Sequence, residues 1–71
     1  MRKQETVIQE VQPEQADAII DTRLPLGLFY VRLSNLYLGI DNSHGDAWTE
    51  AFSRLSQCKH WLCNPDIDKG T

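Results

Sequence analysis

The chain has 71 residues, a hydrophobic share of 41% and a net charge of −3. That allows one small folded domain of marginal stability and excludes a globally disordered chain. The acidic balance excludes a generic nucleic-acid binder, which needs a basic face to displace counterions.

The first candidate element is ETVIQEV, residues 5–11, whose β-branched and apolar residues can form a short strand. Pro13 suits the first turn of a helix, where its missing N–H costs nothing. Glu14 and Asp17 favour the positive end of the helix dipole. Ala16, Ile19, Ile20 and Leu24 fall on one face at helical spacing, which predicts an amphipathic helix over 13–23. Leu24-Pro25-Leu26-Gly27 then breaks it.

LFYVRL and LYLGID follow, separated by Ser34-Asn35. Pairing them about a two-residue loop sets Leu33 opposite Leu36, Val31 opposite Leu38 and Phe29 opposite Ile40. All six then lie on one face, while Arg32 opposes Tyr37 and Tyr30 opposes Gly39 on the other. One register sorting both runs is the signature of a hairpin, with strands over 28–33 and 36–41. Asn42-Ser43-His44-Gly45 has the form of a type I turn followed by a left-handed glycine, leading into a third strand over 46–52. Two registers compete here. The three-residue turn sets Trp48 against Ile40 and Phe52 against Leu36 on the apolar face, and is favoured because it buries both rings. A four-residue loop moves Trp48, Glu50 and Phe52 to the outer face, with Glu50 beside Tyr37 and near Arg32.

Ser53 is a candidate cap for a last helix over 54–63, with Leu55, Cys58, Trp61 and Leu62 as its apolar stripe and Arg54, Lys59 and His60 towards water. Asn64-Pro65 ends it, and residues 65–71 read as a mobile tail. The expected architecture is a single α+β domain over 1–71. It is a small antiparallel three-stranded sheet, with a candidate fourth strand at the N-terminus. The C-terminal helix packs on one face, and the short N-terminal helix either covers the outer face or leaves it free.

The chemistry-bearing motifs read mostly as structure. Asp41-Asn42-Ser43-His44-Gly45-Asp46 resembles a calcium loop only superficially, because the glycine falls one position early and Phe52 stands where the bidentate glutamate belongs. Cys58, His60 and Cys63 project differently from a helix, so no zinc site is expected. The two cysteines, about 140° apart around a helix, are expected as reduced thiols. His44, with Asp41, Asp46 and Ser43 beside it, sits at a hairpin tip with nothing to desolvate a nucleophile. No catalytic residue, metal or cofactor is therefore expected. Tyr and Arg are typical interface anchors. Tyr30, Arg32 and Tyr37, with Glu50 joining them in the second register, are the candidate partner-binding residues. The strand edge over 47–52 offers a second docking mode by strand addition. No apolar run approaches the roughly 18–20 residues of a bilayer span. The N-terminal MRKQETVIQEV lacks an apolar signal region, so the expected location is cytoplasmic, without membrane contact.

GIDN-SHGD-AWTEAF followed by Leu55, Cys58, Trp61 and Leu62, together spanning about residues 25–63, resembles small uncharacterised single-domain proteins of bacterial genomes, prophages and mobile elements. The resemblance implies a compact accessory protein that acts by binding. Its sharpest form is a phage or mobile-element protein that inhibits a host or defence protein, its acidic charge matching a basic, nucleic-acid-handling surface. A small self-associating homodimer is the alternative, and a hydrolase centred on His44 the remote one.

Overall fold

The computed structural model describes residues 7–63. Among them the elements run β1 (Ile8–Glu10), α1 (Pro13–Thr22), β2 (Gly27–Arg32), β3 (Tyr37–Asn42), β4 (Trp48–Phe52) and α2 (Leu55–Cys63). Residues 5 and 6 of the first expected strand, the Asn64-Pro65 stop and the tail over 65–71 lie outside the described residues.

The fold is a small α+β domain around one four-stranded sheet of order β1-β2-β3-β4. The three expected antiparallel strands are present. The N-terminal strand joins them parallel to β2, so the sheet is mixed. A helix between two strands returns the chain to the same end of the sheet, and α1 makes that crossover. Its start is satisfied locally: the Gln12 backbone N–H donates to Gln15 Oε1 at 2.8 Å, and Pro13 occupies the first helical position. Its end is a left-handed Arg23 at φ 63°, whose N–H donates to the Ile19 carbonyl at 2.7 Å.

The first hairpin adopts the expected register, with Phe29 opposite Ile40, Tyr30 opposite Gly39 and Val31 opposite Leu38. The C-terminal helix packs on one face as expected, but the N-terminal helix does not lie on the outer one. Phe29, Val31, Leu38 and Ile40 pack with Val11, Ala16 and Ile19, so α1 covers that face. Cys58, Trp61 and Leu62 of α2 pack on the opposite face against Tyr30, Ile8, Leu28, Tyr37 and Phe52. The outer face is therefore neither free nor under the N-terminal helix; α2 closes it. The physical reason lies in Tyr30, Tyr37 and Gly39. A tyrosine ring is a large apolar surface with a polar tip, and a glycine lets a helix approach. A Cβ on Gly39 would sit 3.1 Å from both Cys58 Sγ and the Trp61 ring. On α1, Ala16 and Ile19 are buried, whereas Ile20 stays 37% exposed and Leu24, 62% exposed, lies beyond the helix end, so the stripe is narrower than the spacing suggested.

The second hairpin takes neither expected register. Asp41 opposes Trp48, Ile40 opposes Thr49, Gly39 opposes Glu50 and Tyr37 opposes Phe52. The turn itself is as expected: Gly45 N–H donates to the Asn42 carbonyl at 3.3 Å, and Gly45 has φ +81°. The loop then runs two residues further, through Asp46 and a left-handed Ala47 at φ 52°. Asn42 holds this longer loop in place. Its side chain is fully buried, its Nδ2 donates to the Pro25 carbonyl at 2.7 Å, and its Oδ1 accepts the Ala47 N–H at 3.1 Å. These bonds satisfy both ends of the amide and tie the loop between α1 and β2 to the start of β4. The outcome puts Trp48, Glu50 and Phe52 on the α2 face, away from the apolar face that the three-residue turn would have given them. At the start of α2 the Arg54 carbonyl accepts the Cys58 N–H at 3.1 Å, so the cap falls one residue beyond Ser53.

Candidate interaction surface

Three of the four expected partner-binding residues form one cluster on the α2 face. Arg32 Nη1 donates to the Tyr37 hydroxyl at 3.1 Å and its guanidinium lies 5.3 Å from the Tyr37 ring centroid. Arg32 Nε also pairs with Glu10 Oε2 at 3.5 Å. The Tyr30 hydroxyl donates to Glu10 Oε1 at 3.2 Å, and Lys59 Nζ of α2 stands 5.9 Å from the Tyr30 ring centroid. Burial, and next the Glu10 hydrogen bond, push the Tyr30 hydroxyl's pKa up. Tyr30 is buried under α2, so Arg32 and Tyr37 present the accessible part of the cluster. The pairing of Glu10 with Tyr30 and Arg32 also fastens the short β1 to β2. The surface ion pair adds little by itself, with about half of each side chain exposed. Glu50 does not join: it stands on β4 opposite Gly39.

The edge of the sheet at β4 has a different character. Among the described residues β4 pairs on one side only, with β3. The direction of its backbone groups follows from the first hairpin. The Leu33 N–H donates to the Leu36 carbonyl at 2.9 Å, which makes that pair a hydrogen-bonded one. Antiparallel pairs alternate, so Arg32/Tyr37, Tyr30/Gly39 and Leu28/Asp41 are not bonded to each other. Tyr30's carbonyl accordingly turns to the other side, where it accepts the Val11 N–H at 2.9 Å. On β3, then, Tyr37, Gly39 and Asp41 bond towards β4, using Phe52, Glu50 and Trp48. Thr49 and Ala51 direct their N–H and C=O groups outward.

Side chains frame this edge. Trp48 is 40% exposed, and Thr49, Glu50 and Ala51 are exposed. Behind them a shallow groove between β4 and α2 is lined by Phe52, Ser56, Gln57, His60 and Trp61. Phe52 and Trp61 meet with ring centroids 5.6 Å apart at 51°, giving the groove an aromatic floor. The strand-edge mode was legible in the sequence. The groove was not, because it needs the register that places Phe52 on the α2 face.

Within the Asp41–Asp46 loop, Asp41 and Ser43 bond to each other. Ser43 donates its N–H and its hydroxyl to Asp41 Oδ1, at 3.1 and 2.7 Å. The Ser43 hydroxyl lies 3.3 Å from His44 Nδ1, and His44 is exposed. The serine proton is thus directed at a carboxylate, with no sheltered pocket beside it. No group of three His, Cys, Asp or Glu side chains placed to hold a metal ion occurs among the described residues. Cys58 is buried and Cys63 exposed, both as free thiols. Burial pushes the Cys58 thiol's pKa up to about 11, against a smaller lowering by Lys59. No helix among the described residues is long and apolar enough to cross a membrane. Comparison of the chain with protein-family models, with curated proteins and with solved structures finds no match.

Proposed function

We propose that the chain is a non-enzymatic protein-interaction module that takes an extended segment of a partner protein onto β4. The observation that carries this reading is the outward-facing backbone of Thr49 and Ala51, flanked by Trp48 and by the Phe52–Trp61 groove. Main-chain hydrogen bonds supply affinity in strand addition, and side-chain pockets supply selectivity. Natural edge strands are usually guarded by brevity, charge or cover. Here an exposed tryptophan stands on the edge, which suits a surface that is covered in use. The cluster of Arg32 and Tyr37 flanks the same face of the sheet as a second contact region. In its sharper form the module belongs to a phage or mobile element and inhibits a host protein. The charge of −3 favours a partner with a basic surface.

Thr49→Pro tests the reading. The Thr49 N–H points away from β3, so proline removes an outward donor without taking a bond from the sheet. Selection from a random-peptide display library on the wild-type protein is expected to yield binders that lose the Thr49→Pro variant. Circular dichroism checks that the variant keeps its fold. Binders indifferent to Thr49→Pro would sink strand addition at this edge.

A further inference from the structure

We infer that the strand accepted at β4 carries a lysine or arginine facing Glu50, with apolar residues two positions to either side. This rests on the strand-addition reading and specifies the partner's chemistry. Trp48, Glu50 and Phe52 point to the same side of the sheet, so an added strand presents three successive same-face residues to them. In an antiparallel addition Thr49 and Ala51 hold the hydrogen-bonded pairs, and positions 48, 50 and 52 fall in non-hydrogen-bonded pairs. There the Cα atoms approach to about 4.5 Å and side chains are closest. A carboxylate in the middle of that row, opposite the bare Gly39 on its other side, has its selective contact with the incoming strand. The residue facing Phe52 lies at the groove lined by Ser56, Gln57, His60 and Trp61, which suits an apolar side chain.

The same geometry discriminates against a second copy of this chain. The antiparallel self-pairing that uses all the outward groups sets Thr49 against the partner copy's Ala51 on both sides of a two-fold axis. It also sets Trp48 against Phe52 and Glu50 against Glu50. Two carboxylates then meet at the closest pair position, which is destabilising. Sliding by two residues so that Thr49 meets Thr49 relieves the repulsion but keeps only one of the two hydrogen-bonded pairs. Ala47 cannot replace the other, because its N–H is held by Asn42 Oδ1. Glu50 thus acts as a selector: it admits a basic strand and rejects its own kind.

The test is peptide-display selection on wild type, Glu50→Lys and Thr49→Pro in parallel, with dissociation constants for the selected peptides. Wild type is expected to select apolar-X-basic-X-apolar sequences, and Glu50→Lys the same pattern with an acidic centre. Replacing the central basic residue by glutamate is expected to weaken binding to wild type about tenfold, with Glu50→Lys restoring it. Wild type and Glu50→Lys are each expected to sediment as monomers, and their equimolar mixture to contain a heterodimer lost when either strand carries Thr49→Pro. Thr49→Pro-sensitive peptides without a central charge preference overturn this inference and leave strand addition standing. Binding untouched by Thr49→Pro overturns both. A wild-type dimer that Thr49→Pro dissolves also overturns the inference, because Glu50 then fails to bar self-pairing.

Discussion

Removing the Asn42 side chain is expected to cost a large part of the fold's stability. The amide is fully buried and makes two hydrogen bonds, to Pro25 O at 2.7 Å and from Ala47 N–H at 3.1 Å. In Asn42→Ala the Pro25 carbonyl, on an exposed residue, regains water, so its loss is the net worth of one bond, about 0.5–1.5 kcal/mol. The Ala47 N–H belongs to a half-buried residue and is left largely unpaired, costing about 1–3 kcal/mol. Together these give about 1.5–4.5 kcal/mol, against a total of roughly 4–11 kcal/mol for a chain this size. The midpoint temperature should fall by roughly 6–36 °C. Asn42→Asp keeps the acceptor for Ala47 but aims a second oxygen at Pro25 O and buries a charge, so at neutral pH it should cost at least as much. Urea unfolding of the three proteins checks this, read as midpoint shifts at constant slope. Amide exchange adds a local readout, with Ala47 expected to lose protection first. A loss under about 1 kcal/mol for Asn42→Ala, against the usual worth of buried bonds, would refute the staple.

Three further outcomes are expected. Gly39→Ala places a Cβ 3.1 Å from Cys58 Sγ and the Trp61 ring, so α2 must shift, and urea unfolding should show a loss of about 1–3 kcal/mol. Ala47→Gly relieves a left-handed alanine at φ 52°, and thermal unfolding should show a gain of up to about 1 kcal/mol. For the thiols, one equivalent of a maleimide should react natively at Cys63, and a second, at Cys58, only in denaturant. Because the folded Cys58 pKa is raised to about 11, the protonated thiol's contribution to stability is intact below the unfolded thiol's pKa of about 8.5 and is lost as pH rises towards 11. Cys58→Ala should reduce that alkaline slope in pH-dependent unfolding, leaving the part that comes from the raised Tyr30 hydroxyl.

What could be read without coordinates depended on how many constraints met at a residue. The first hairpin was legible because a two-residue loop and twelve alternating positions agree on one register, and the structure adopts it. The second hairpin was not, because its loop turns on Ala47. Alanine gives no sign that it will take a positive φ, and nothing in the residue type of Asn42 says that its amide will be buried and doubly bonded. The helices were placed correctly along the chain, but which of them closes the outer face was not legible. Tyr30 and Tyr37 read equally well as wet anchors or as the wall of a second core, and only the position of α2 decides. The consequence for the candidate surface is direct. Tyr30, Arg32 and Tyr37 do come together, yet much of their contact is spent internally. The exposed edge foreseen over 47–52 gains its groove only from the register that the structure reveals.

The two tryptophans occupy opposite environments, Trp61 at 8% exposure between sheet and helix and Trp48 at 40% on the edge. The protein therefore carries two intrinsic fluorophores in different settings. With Trp48 replaced by phenylalanine, the remaining blue-shifted band follows detachment of α2 from the sheet and contact at the groove whose floor Trp61 forms. With Trp61 replaced, the remaining red-shifted and quencher-accessible band follows occupancy of the edge. Docking is then read twice, from the strand edge and from the groove, without a label.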